Sequence, residues 1–129
     1  MRAIDTNIIV RFLTDDDKAQ AEAARAVIEA GDIFISLTVL LESEWVLRRG
    51  YRLSREEIAA RLIGIAGLSQ ISVEDPAAFA MAIEWMRAGM DFADALHLAK
   101  ADRCTAFVSF DRKLAKVAKG RSPIPVEVP

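Results

Sequence analysis

Short apolar runs alternate with longer helical stretches along this chain, and that alternation narrows the possible folds more than any other feature. The runs are Met1 to Ile4, Ile33-Phe34-Ile35, Gln70 to Val73 and Ala106 to Ser109. Between them the spacing predicts helices over Ile8 to Leu13, Lys18 to Glu29, Leu37 to Arg49, Ser54 to about Ala66, Pro76 to Ala88 and Asp91 to Arg103. A last helix is expected over Arg112 to Ala118. Strands that alternate with helices pair in parallel and are covered on both faces, so the class is α/β. The tail Ile124 to Val128 can form only an edge strand, because Pro125 has no N–H to give a ladder.

Local chemistry punctuates the same pattern. Ser54 and Glu57 have the spacing of a capping box, Gly50 and Gly67 suit helix ends, and Pro76 suits a first helical turn. In the Asp15-Asp16-Asp17 loop, Asp17 is placed to cap the helix beginning at Lys18. Ala19, Ala23, Ala26, Val27 and Ala30 recur at helical spacing and are expected to form that helix's inner face. There is no repeat, linker or low-complexity segment, so residues 1–129 read as a single domain. The composition is 53% apolar and 28% charged, enough to bury a core without covalent staples. The single Cys104 excludes an internal disulfide and a cysteine zinc cage. With no leader and no apolar run near the ~20 residues of a bilayer span, the chain is expected to be soluble and cytoplasmic, without a membrane partner.

The carboxylates carry the chemistry. Asp5 and Asp111 each end a short apolar run directly before a helix, where open α/β sheets place their ligand crevice. Glu42 lies one turn into the helix after the Ile33 run, on a face shared with Thr38, Trp45, Val46 and Arg49. Glu44 points about 200° away and is set aside. Asp91 and Asp94 share the first turn of one helix; capping accounts for Asp91, less readily for Asp94. Two carboxylates about 4 Å apart repel by roughly 4 kcal/mol at an effective dielectric of 20, so such a set asks for protons or cations. Oxygen ligands without Cys or clustered His favour Mg²⁺ or Mn²⁺ over structural zinc. A net charge of −2 shows no polyanion footprint, yet an acidic site can draw phosphate through its metal ions.

Taken in order, Ile4-Asp5-Thr6-Asn7, the Glu42 helix, Asp91-Phe92-Ala93-Asp94-Ala95 and Ser109-Phe110-Asp111-Arg112 resemble the PIN-domain ribonucleases, and among them the VapC toxins of bacterial toxin–antitoxin pairs. The resemblance covers essentially the whole chain. It implies a three-layer fold with a central, mostly parallel sheet of four or five strands flanked by helices. It further implies a Mg²⁺- or Mn²⁺-dependent endoribonuclease, a homodimer and a cognate antitoxin. Carried over, the catalytic acids are Asp5, Glu42, Asp94 and Asp111; Asp5, Asp94 and Asp111 would hold metal, with Asp91 a further candidate. Thr6, Asn7 and Ser109 would support them, Ser109 standing where relatives often carry Thr. Arg49, Arg112 and Lys113 are candidate RNA contacts.

Two rival functions follow from the same residues. A haloacid dehalogenase-type phosphatase also begins strand-Asp, but needs a second Asp where this chain has Asn7. A catalytically silent PIN-like module would keep the acids only to bind a partner. Elsewhere, His97 is expected to be a packed core residue, Cys104 a small buried hydrophobe, and Trp45 and Trp85 core or interface aromatics.

Overall fold

A computed structural model describes residues 1–129, which form five strands and seven helices. Their order is β1 (Arg2–Ala3), α1 (Thr6–Leu13), α2 (Lys18–Glu29), β2 (Ile33–Ile35), α3 (Leu37–Arg49), α4 (Arg55–Ala66), β3 (Ile71–Val73), α5 (Pro76–Arg87), α6 (Phe92–Ala99), β4 (Phe107–Val108), α7 (Arg112–Ala118) and β5 (Val126–Glu127). The chain gathers into two compact units, Met1–Asp75 and Pro76–Pro129. No helix is long and apolar enough to cross a membrane.

The first unit is built on a parallel sheet in the order β1-β2-β3. Each strand returns to the same edge through a pair of helices, as parallel pairing requires. Ile33 and Ile35 are fully buried on β2, which pairs on both sides, so both its neighbours contribute to its cover. Ile9, Leu40, Leu47, Ile58 and Leu62 supply the helical part of this core. In α2 the inner face is Ala21, Ala24 and Ile28, not the expected alanine row. Ala19, Ala23, Ala26 and Ala30 are exposed, because Ile28 offers far more apolar area than any alanine and its row wins the core.

The expected caps form. The Ser54–Glu57 capping box is complete in both directions, and Asp17 accepts the Gln20 N–H at 3.0 Å. Gly50 ends α3 with φ of −85°, so it is not a left-handed terminator. Glycine is needed there because a Cβ would stand 2.9 Å from the Val46 carbonyl oxygen.

Asp16 joins a polar cluster on the same unit. Tyr51 donates to its Oδ2 at 2.7 Å, Thr14 to its Oδ1 at 3.1 Å and Arg11 Nη1 to its Oδ1 at 3.0 Å. The Tyr51 hydrogen bond is the largest of the effects that hold the Asp16 carboxyl below its ordinary value of 3.8. A depressed carboxyl stabilises the fold above its unfolded pKa, and that contribution disappears as pH falls through the folded value. Tyr51→Phe should therefore move the Asp16 carboxyl upward toward 3.8, read by a carboxyl-carbon NMR titration, and shrink the loss of stability at the acid end. An unmoved Asp16 titration would show that Tyr51 does not set it.

In the second unit β4 pairs in parallel with β5, and α5 packs against α6. The Phe107 N–H reaches the Pro125 carbonyl at 2.9 Å, and the Ser109 N–H reaches the Glu127 carbonyl at 3.0 Å. Pro125 thus takes part only as an acceptor, as its missing N–H demands. The parallel α/β class is as expected, with the five strands divided between a three-stranded and a two-stranded ladder. Phe79, Ile83, Trp85, Met86, Met90, Phe92 and Leu98 are buried. Two expectations fail outside this core, since His97 and Cys104 are exposed. Trp45 in the first unit is 54% exposed, so it is not a core residue. On α6 the inner face is taken by Phe92, Ala95, Leu96, Leu98 and Ala99, which leaves His97 on the outer side.

Candidate functional site

Within the first unit, Asp5 stands two residues past the end of β1 and caps α1, its Oδ1 accepting the Ile8 N–H at 3.2 Å. Cap geometry occupies one carboxylate oxygen and leaves the side chain exposed at the carboxyl end of a parallel strand. The next residue, Thr6, is buried, and its hydroxyl donates to Glu42 Oε1 on α3. The Thr6 hydroxyl thereby positions Glu42, and α1 and α3 are packed against each other. Glu44 plays no such part: it is 3% exposed and pairs with Arg48 Nε at 2.9 Å along its own helix. Asn7 and Arg49 are exposed.

One residue at this sheet edge escaped sequence reasoning. Glu74, directly after β3, accepts the Leu37 N–H at 3.0 Å, next to the Ser36 cap of α3. A carboxylate just past a strand end was the available signal. Its role here is to satisfy a helix-end donor.

Within the second unit, Asp91 caps α6 by accepting the Asp94 N–H at 3.1 Å. Asp111 caps α7 by accepting the Leu114 N–H at 3.0 Å, and its own N–H donates to Ser109 Oγ at 3.0 Å. Ser109 therefore acts on Asp111 through the backbone, fixing the turn that presents the carboxylate. Asp94 is partly buried and lies in the first turn of α6. Burial raises its carboxyl pKa, repulsion from Asp91 and then Asp111 raises it further, and His97 partly offsets the rise. Asp94 thus senses the charge of both Asp91 and Asp111. Arg112 and Lys113 are exposed at the start of α7.

The candidate acids thus fall in two sets, Asp5 with Glu42 in one unit and Asp91, Asp94 and Asp111 in the other. Within neither unit do three or more Asp, Glu, His or Cys side chains gather as a metal-holding group. The donor chemistry still suits a hard cation. Mg²⁺ takes one or two carboxylates and keeps several waters, and every candidate ligand is a carboxylate.

A parallel α/β chain with carboxylates just past its strand ends and in the first turns of its helices defines a class of acid-site α/β proteins. The PIN-domain family model matches residues 3–120, and the chain belongs to that family. A crystal structure of Mycobacterium tuberculosis VapC20, described as a Sarcin-Ricin loop cleaving toxin, is similar at 18% identity and a TM-score of 0.46. The similarity covers 96% of this chain and 98% of that one. No curated protein matches the sequence.

Proposed function

We propose that this chain is a divalent-cation-dependent endoribonuclease, a single domain over residues 1–129, acting as the toxin of a toxin–antitoxin pair. Family membership supports nuclease chemistry, and the observation that carries the metal reading is Asp94, whose carboxyl is raised by burial and then by the charges of Asp91 and Asp111. A carboxylate disfavoured by burial and by neighbouring negative charge is stabilised by a cation, and none of the candidate ligands is a soft donor. In this reading Asp5, Asp94 and Asp111 hold Mg²⁺ or Mn²⁺ directly or through water, Asp91 is a further candidate, and Glu42 completes the shell or assists proton transfer. When bound, the ion would lower the pKa of a water and hold a phosphoryl oxygen.

The chain's own residues do the remainder. Thr6 holds Glu42 by one oxygen, leaving the other to accept a proton from the attacking water. Ser109 fixes the Asp111 turn, and the cap bonds of Asp5, Asp91 and Asp111 hold each carboxylate in one orientation. Asn7 orients the substrate, while Arg49, Arg112 and Lys113 meet phosphates. The partners in this reading are cellular RNA, a cognate antitoxin and a second copy of the chain, in the cytoplasm. Neither the phosphatase nor the silent-module reading gains a favouring observation.

The test is cleavage of total RNA by the purified protein with Mg²⁺, with Mn²⁺ and with excess chelator. Chelation is expected to abolish cleavage and either ion to restore it. Undiminished cleavage in chelator would refute the metal, and no cleavage under any condition would refute the nuclease.

A further inference from the structure

Phe110 is the most exposed large apolar side chain of the protein, at 84%. Leaving a phenyl ring in water forgoes a large gain from burial, so the fold itself does not account for it. Nor does it sit on a loose loop. The residue before it is tied into the β4–β5 ladder by the Ser109 N–H bond to Glu127, and the residue after it by the Asp111 N–H bond to Ser109 Oγ. The ring is carried on a backbone fixed from both sides. Val108, two residues earlier at the end of β4, is a second exposed apolar side chain, at 63%.

The neighbours indicate what the ring meets. Asp111 follows immediately, and Arg112 and Lys113 stand exposed at the start of α7 without a carboxylate partner. An aromatic face beside two free cations matches a flat base joined to phosphates: stacking needs no sequence, and the cations follow the backbone. A purely apolar protein partner would leave those cations unmatched.

We propose that Phe110 is a stacking platform for an unpaired base of single-stranded RNA, placing the strand beside Asp111. This rests on the ribonuclease reading and adds to it a binding residue. Duplex RNA, whose bases are already stacked, cannot use the ring.

The experiment measures binding of a short fluorescein-labelled single-stranded oligoribonucleotide, and of the corresponding duplex, to the full chain bearing Asp5→Asn so that the probe stays intact. Cleavage by the chain with native Asp5 is followed in parallel. Phe110→Ala is expected to weaken single-strand binding roughly tenfold or more, raise KM by a similar factor and leave duplex binding unchanged. Phe110→Trp should retain affinity, whereas Phe110→Leu, apolar but without a π face, should lose nearly as much as alanine. Full affinity in Phe110→Leu would mean an ordinary apolar contact and overturn the proposal, as would unchanged binding in Phe110→Ala. Binding that depends on Phe110 without cleavage would sink the ribonuclease reading and leave this one standing. Cleavage indifferent to Phe110 would do the reverse, and a chain that neither binds nor cuts RNA would end both.

Discussion

Asp5→Asn is expected to lower RNA cleavage by about 10²–10³-fold while moving the thermal midpoint by no more than a few degrees. The two effects separate because the capping role of Asp5 and its proposed ligand role ask different things of one side chain. As the N-cap of α1 it needs only an oxygen that accepts the Ile8 N–H, and the asparagine amide supplies one. Asn and Asp are nearly equal as caps, so the fold keeps that bond and loses only a charge favoured by the helix N-terminus, about 0.3–1 kcal/mol. A metal-holding role needs the charge itself. Removing one anionic ligand forfeits several kcal/mol of transition-state stabilisation, and each ~1.4 kcal/mol is about tenfold in rate. Asp5→Ala removes the cap as well and should cost about a further 1 kcal/mol of stability. Circular dichroism melts beside an RNA cleavage assay decide the matter. An asparagine variant that cuts at the parental rate would reduce Asp5 to a capping residue.

The same residue pattern serves a strand-end ligand and a helix cap, so the capping duties of these acids were only partly legible in the sequence. An Asp between a short apolar run and a helix satisfies the pattern of a strand-end ligand and of an N-cap equally well. Spacing assigned a cap to Asp17 and weighed one for Asp91, yet Asp5 and Asp111 make the same bond to the third helical N–H. That Glu42 and Glu44 meet different surroundings was legible because an angle of about 200° separates them on one helix, and Glu44 is buried and paired with Arg48. Long-range pairing was not legible. The β1 and β4 strands are two residues each, too short for composition to say which ladder they join. Alanine periodicity is a weak signal beside one isoleucine, and Ile28, not the alanine row, sets the inner face of α2. Residue type alone does not place His97 and Cys104, whose exposure depends on which side of α6 faces α5 and on the turns after it.

Asp94→Asn is expected to act in opposite directions on activity and stability. In metal-free buffer Asp94 is a partly buried carboxyl repelled by Asp91 and Asp111, so the folded chain binds its proton more tightly than the unfolded chain does. For a raised pKa the sign is fixed. Between the unfolded value near 3.8 and the raised folded value, the folded state holds more protons, so stability falls as pH increases across that window. Above it, the ionised Asp94 remains a standing cost. The asparagine variant carries no such cost and should be more stable than the parent at pH 7 in chelator, with the advantage vanishing below about pH 4. Mg²⁺ reverses the comparison, because binding only to the folded state stabilises by RT ln(1 + [L]/Kd) and the variant has lost a ligand. The parent should gain stability on adding the ion, the variant little, and the variant's cleavage should drop by about 10²–10³-fold. Urea midpoints at pH 3.5 and pH 7, each with Mg²⁺ and with chelator, supply the four comparisons. If the variant is less stable than the parent at pH 7 without metal, Asp94 is held by bonds that favour its charge. If Mg²⁺ stabilises both chains equally, Asp94 is not a ligand, and the cation-binding role passes to the other acids.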